Sequence, residues 1–138
     1  MLINIIIGCF LIVLTTIVHA TATNYVLHLV QKQSNAKLKH RKYSKMFWIS
    51  AIVLLMLLAS IIESVIWAIT YLVLDVIQST EQALYFSIVT FTTLGYGDII
   101  ISDSWRLLAS LEAANGIIIF GWSTAIVMAT VQKLYFHK

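Results

Sequence analysis

The run Thr92-Thr93-Leu94-Gly95-Tyr96-Gly97-Asp98 holds the residues whose types and order could do chemistry. A cation leaving water needs oxygen atoms in place of its hydration shell, and consecutive backbone carbonyls turned toward one axis supply them. That arrangement requires unusual backbone angles at alternate residues, which glycine adopts at little steric cost. Gly95 and Gly97 stand at that spacing. The carbonyls of Thr93, Leu94, Gly95 and Tyr96, with the Thr93 hydroxyl, would then stack successive sites for dehydrated cations, while Tyr96 points away and braces the loop.

A second group of polar residues lies inside apolar sequence. Glu63, Glu112 and Asn115 interrupt long apolar runs, and an unpaired acid costs about 2.5–3.5 kcal/mol near the middle of a bilayer. Counting about 1.5 Å per helical residue from the outer ends puts Glu112 roughly 10 Å deep, with Glu63 and Asn115 both roughly 15 Å deep. The matched depths predict a hydrogen bond between Glu63 and Asn115, with Trp67 and Tyr71 on the Glu63 face. Glu112 is left to hold Ser87 or Thr90. His19 and His28 read as satisfied polar residues of the first apolar run, and Cys9 has no second cysteine to pair with. No nucleophile stands beside a base, and the sequence has no metal-ligand cluster or nucleotide-binding loop, so neither catalysis nor a cofactor is expected.

The elements that must position these residues follow from composition. Only 11% of the 138 residues are charged and 60% are hydrophobic, against roughly 25% charged in a soluble domain; mean hydropathy is +0.91. A water-soluble globular enzyme is excluded. The expected fold is an all-α membrane protein with three transmembrane helices, at residues 1–30, 47–74 and 105–134. Residues 80–92 form a fourth, shorter segment, whose rise of about 20 Å falls short of a hydrocarbon core of about 30 Å. It should enter the membrane and return, because non-helical backbone at that depth is tolerated only where protein buries it or where it lines water. Ser79-Thr80-Glu81-Gln82 reads as a capping box opening this helix, and its negative dipole end would favour a cation below the loop. Ser102-Asp103-Ser104 can cap the third span.

Orientation follows from the bases. Residues 31–46 form a basic loop, and Lys133 and Lys138 follow the third span, so eight of the nine bases lie at one face. By the positive-inside rule that face is cytoplasmic, which puts the N-terminus outside and the C-terminus inside a plasma membrane. Lys37, Lys39, Arg41 and Lys42 could touch anionic lipid headgroups. Ala20-Thr21-Ala22 resembles a signal-peptidase site, but the run before it lacks a basic start and cleavage would strand the basic loop outside, so residues 1–30 are read as a helix.

On these residues, the stretch Thr93 to Asp98 resembles the selectivity filter of tetrameric potassium channels, and residues 47–135 resemble the pore module of the short prokaryotic members. The resemblance implies an outer helix at 47–74, a pore helix at 80–92, a filter at 93–98 and an inner helix at 105–134, with the first span outside this core. It implies K+ binding at Thr93, Leu94, Gly95, Tyr96 and Gly97, with Leu94 where valine is usual and its side chain toward the pore helix. By the same resemblance, Tyr96 implies a preference for potassium over sodium. Tyr85 and Phe86 look like the aromatic cuff, while Val89 replaces the family's acid and so leaves Asp98 without that partner. Trp105-Arg106-Leu107 matches the start of the inner helix, Gly116 falls at the family's hinge, and Ile117, Phe120, Thr124 and Met128 would line the cavity. With no proline in the chain, bending would rely on Gly116 and Gly121.

One chain has one pore loop, and a ring of carbonyls needs several, so the resemblance implies a homotetramer in membrane lipid passing K+ as the only metal ion, with no nucleic-acid partner. Two alternatives stay open at this stage. One is a weakly selective cation channel, distinguished by reversal potentials in mixed sodium and potassium; the other is a nonconducting subunit of a larger membrane complex.

Overall fold

The chain carries no proline and has two long apolar runs before residue 75, so nothing in either run interrupts a helix. The computed structural model, which describes residues 1–35 and 42–135, shows two long helices there, α1 (Leu2–Asn35) and α2 (Lys42–Val73). Both helices run further toward the basic segment than their apolar stretches, so the connection is shorter than the expected loop over 31–46. Lys37, Lys39 and Arg41, three of the positions expected to meet anionic lipid, lie outside the described residues, as does the side chain of Lys42.

α2 stops on a particular backbone device. The Val76 amide donates to the Tyr71 carbonyl at 2.9 Å and the Asp75 amide to the Leu72 carbonyl at 3.0 Å, with Asp75 in the left-handed region at φ 53°. This is a Schellman ending with aspartate where glycine is usual. It turns the chain directly into α3 (Thr80–Phe91), a helix of 12 residues. Ser79 opens α3, its hydroxyl accepting from the Gln82 amide at 3.5 Å. Thr92 caps the other end, its hydroxyl donating to the Ile88 carbonyl at 2.7 Å. At about 1.5 Å per residue α3 is roughly 18 Å long.

After the glycine loop a single 3-10 turn, Asp103–Trp105, leads into α4 (Arg106–Tyr135). Ser102 precedes that turn without making a side-chain cap bond, so its cap comes from backbone, the Trp105 amide donating to the Ser102 carbonyl at 3.0 Å. The described residues form an all-helical fold, and α1, α2 and α4 are each long and apolar enough to cross a membrane.

The three long helices pack as a bundle in which each touches the other two, with α3 wedged against α2 and α4. One core gathers Leu11, Trp67, Tyr71, Phe91, Leu108 and Ile119, where all four helices meet. A second, toward the basic end, joins Val26 and Val30 of α1 to Ile52 and Met56 of α2. Outward faces are apolar too, for example Ile3, Ile6, Phe10, Val13 and Ile17 on α1, as expected of helices solvated by lipid. The buried seam of α1 is different in character. Asn4, Gly8, Leu11, Thr15, His19 and Thr23 recur every three or four residues and face the groove between α2 and α4. Gly8 lets α1 approach closely, since a Cβ there would lie 2.5 Å from Leu111 Cδ1.

Candidate ion-conduction site

The glycine loop departs from ordinary backbone at every second residue: φ is 61° at Thr93, 55° at Gly95 and 76° at Gly97. Glycine reaches these angles freely. Thr93 does not, and a β-branched residue held there stores about 1–3 kcal/mol of strain. Its amide donates to the Thr90 carbonyl at 2.9 Å, which ties the strained residue to the end of α3. Sequence reasoning placed the special angles at the two glycines and missed Thr93; only the alternation itself, counted back from Gly95, could have pointed to it.

Alternating handedness makes successive amide N–H groups converge on one side. Here they converge on α3, where the amides of Leu94 and Gly95 both donate to the Val89 carbonyl, at 3.0 and 3.3 Å. In a planar trans peptide the C=O is antiparallel to the N–H, so the Thr93 and Leu94 carbonyls are turned away from α3. That is the geometry a carbonyl-lined ion site requires. Val89 acts through its main chain, which a valine offers as well as an acid would.

Residues 93–98 are exposed in the single chain, with Leu94 at 59% and Tyr96 at 66%. The chain's own α3 therefore does not cover Leu94, and its own aromatics do not cover Tyr96. Behind the loop lies a cavity of about 380 Å³ bordered by Tyr85, Phe86, Val89, Asp98 and Arg106.

Asp98 has a partner that the sequence reading did not supply. Tyr85 donates its hydroxyl to Asp98 Oδ2 at 2.8 Å, across 13 positions. Tyr85 thus contacts the loop directly, whereas Phe86 turns inward and meets Tyr71 edge-on at 5.2 Å. The hydrogen bond to Asp98 is the main reason the Tyr85 phenol holds its proton above the usual tyrosine range, with lost solvation and the carboxylate charge adding to it. Tyr85→Phe should speed hydrogen exchange at the Gly97 and Asp98 amides several-fold at neutral pH. The difference from wild type should narrow at strongly alkaline pH, once the phenol proton is lost; equal exchange at neutral pH would show that Asp98 is held by something else.

The intramembrane acids sort differently from the depth count. Glu112, fully buried, meets Ser87 Oγ at 2.5 Å, as expected, and also accepts from the Tyr71 hydroxyl at 2.6 Å. Ser87 Oγ lies 2.7 Å from the Ser64 carbonyl as well. These bonds tie α3 to both α2 and α4. Glu63 and Asn115, in contrast, do not bond each other. Glu63 Oε1 is 3.0 Å from His19 Nδ1, and the Asn115 amide donates to Thr15 Oγ1 at 2.8 Å. Depth alone gave no direction around the helix axis, and α1 supplies the partner to both. Tyr71, expected on the Glu63 face, goes to Glu112 instead.

On α4, Gly116 is pressed against the end of α3, with the Phe91 carbonyl in the space a Cβ would take. Its lack of a side chain serves close packing. Phe120 is half-buried and meets Phe91 edge-on at 5.9 Å, while Ile117, Thr124 and Met128 lie on an exposed face of α4. Gly121 is open, with none of the described residues within 4 Å of a Cβ built on it.

Residues 46–133 match a protein family described as ion channel. The voltage-gated potassium channel Kch of Escherichia coli (strain K12) is 38% identical over 63 residues, which are 45% of this chain and 15% of that protein. The match thus spans a small part of the relative's length. No solved structure matches the chain. The matched family segment takes in most of α2, all of α3, the glycine loop and nearly all of α4, more than half of the 138 residues, and leaves out α1. By that match the chain is a member of the ion-channel family.

Proposed function

We propose that the protein is a potassium-selective channel subunit in which four copies set their glycine loops around one axis. The observation that carries this reading is the alternation of left-handed backbone at Thr93, Gly95 and Gly97, with the Leu94 and Gly95 amides turned onto the Val89 carbonyl. Four such loops would present rings of carbonyl oxygen to a dehydrated K+ at Thr93, Leu94, Gly95, Tyr96 and Gly97, with the Thr93 hydroxyl at the inner end. In this reading α3 is the pore helix, re-entrant because of its length, and α4 is the inner helix, with Ile117, Thr124 and Met128 on the cavity side. Exposure of Leu94 and Tyr96 in one chain is what a neighbouring copy would relieve. The basic segment faces the cytoplasm of a plasma-membrane protein whose N-terminus is outside. The name of the Escherichia coli relative supports potassium as the permeant ion.

The test is flux into liposomes containing only the purified protein, followed by reversal potentials in mixed sodium and potassium. Selective potassium flux is expected. A reversal potential that tracks both ions equally would make the protein a weakly selective cation channel, and absence of flux from assembled protein would make it a nonconducting subunit.

A further inference from the structure

The first helix lies outside the segment matched by the ion-channel family, yet its polar residues bind the elements that would move in a pore. His19 is fully buried, and its two ring nitrogens reach two different helices. Nδ1 is 3.0 Å from Glu63 Oε1 on α2, and Nε2 is 3.2 Å from Ser123 Oγ on α4. The imidazole also meets Trp122 edge-on, at 5.3 Å between centroids. A neutral imidazole donates from one nitrogen and accepts at the other. With Nδ1 donating to the Glu63 carboxylate, Nε2 is left to accept the Ser123 hydroxyl. The bond made by one ring nitrogen thus sets what the other can do.

The position of this bridge along α4 gives it meaning. Above it, α4 is fixed twice at one level: Asn115 donates to Thr15, and Gly116 is seated on the Phe91 carbonyl. Gly116 therefore has no room to act as a pivot. Five residues on, Gly121 is exposed and unobstructed, which makes it the pliable point of the helix. Ser123 lies two residues beyond that point, so the His19 contact fastens the first turn of the segment that would swing. Thr124, on the proposed cavity face, is its neighbour in sequence.

We infer that His19 is a positioning residue for the pore, a latch by which α1, braced on Glu63, holds α4 beyond Gly121 through Ser123. The inference rests on the channel reading for its consequence and on contacts within one chain for its geometry. Releasing the latch shifts the balance between open and closed channels without altering the carbonyl loop, which is fastened to α3 and not to α1.

The experiment records single channels of the reconstituted full chain. Ser123→Ala removes one arm of the bridge and leaves the buried Glu63 paired with His19, so the fold is spared. It should change the open-to-closed ratio about fivefold, the factor expected for one lost hydrogen bond, with unitary conductance and reversal potential unchanged. His19→Leu should shift the ratio in the same direction, and His19→Gln, which can still bond both partners, should restore it in part. Ser123→Ala in the His19→Leu background should add little. Wild-type open probability in Ser123→Ala and His19→Leu channels would overturn the latch, as would a parallel change in conductance or selectivity. Trp122 emission gives a reading that needs no flux: Ser123→Ala should alter the component that Trp122→Phe removes. An unaltered Trp122 component would overturn the latch, whereas an altered one without wild-type flux would leave the latch standing and sink the channel reading.

Discussion

Gly95→Ala should abolish selective potassium flux while leaving the protein inserted and its helices intact. Gly95 sits at φ 55°, where a Cβ crowds the following carbonyl at a cost of roughly 1–2 kcal/mol per residue. Nothing else among the described residues lies within 4 Å of that Cβ, so no packing contact is broken and α3 and α4 keep their places. The strain falls on the loop. Its easiest relief is rotation of the backbone at residue 95, which takes the Gly95 amide off the Val89 carbonyl and swings the Leu94 carbonyl with it. In an assembly of four, the ring would lose those oxygens all at once. Liposome flux and circular dichroism, measured on the same preparation, test the two halves of this expectation. Selective flux surviving in the variant would mean that ions do not pass along these carbonyls.

Gly116→Ala should fail at an earlier step, in the packing of the chain. The added methyl would overlap the Phe91 carbonyl oxygen and lie 2.8 Å from its carbon. A flexible side chain could swing aside, but a main-chain carbonyl at the end of a helix cannot, so α3 and α4 must separate. Overpacking of this kind costs about 1–3 kcal/mol, and backbone opposition puts this site at the top of that range. Separation also pulls on the loop, which is fastened to α3 at one end and runs on into α4 at the other. The variant should melt well below wild type in detergent and yield little assembled protein. Gly121→Ala is the control. Its Cβ meets none of the described residues, and alanine is the better helix former by about 0.8–1 kcal/mol, so its stability should equal or exceed that of wild type. Similar melting of the two alanine variants would show that the α3–α4 crossing yields more easily than its geometry implies.

What could be read from the sequence was local or one-dimensional. Apolar run length gave the three long helices, and Ser79 marked the start of α3 because a cap acts on residues three positions away. The loop could be read for the same reason, since positive φ at Gly95 and Gly97 is a property of those residues. Partners across helices were harder. The depth count paired Glu63 with Asn115, but a helix presents a new direction every residue, and the two bond His19 and Thr15, one turn apart on α1, instead of each other. Its seam could have been found as a repeat of small and polar residues at 4, 8, 15, 19 and 23, a spacing that places them on one face. Tyr85 reached Asp98 through the fold of the intervening loop, which no helical period describes.

The partners of α1 also differ in when they are made. Glu63 follows His19 by 44 positions, whereas Asn115 and Ser123 follow Thr15 and His19 by 100 and 104. Synthesis adds about 5–20 residues per second, so α1 waits for its last partners on the order of several seconds after the first is available. During that wait a lone histidine in lipid is costly, and the pairing with Glu63 shields both groups together. The α1–α2 hairpin can therefore close around the His19–Glu63 pair before α4 is made. α4 then arrives at a groove already lined with Asn4, Thr15 and His19, which reads its register residue by residue as it docks.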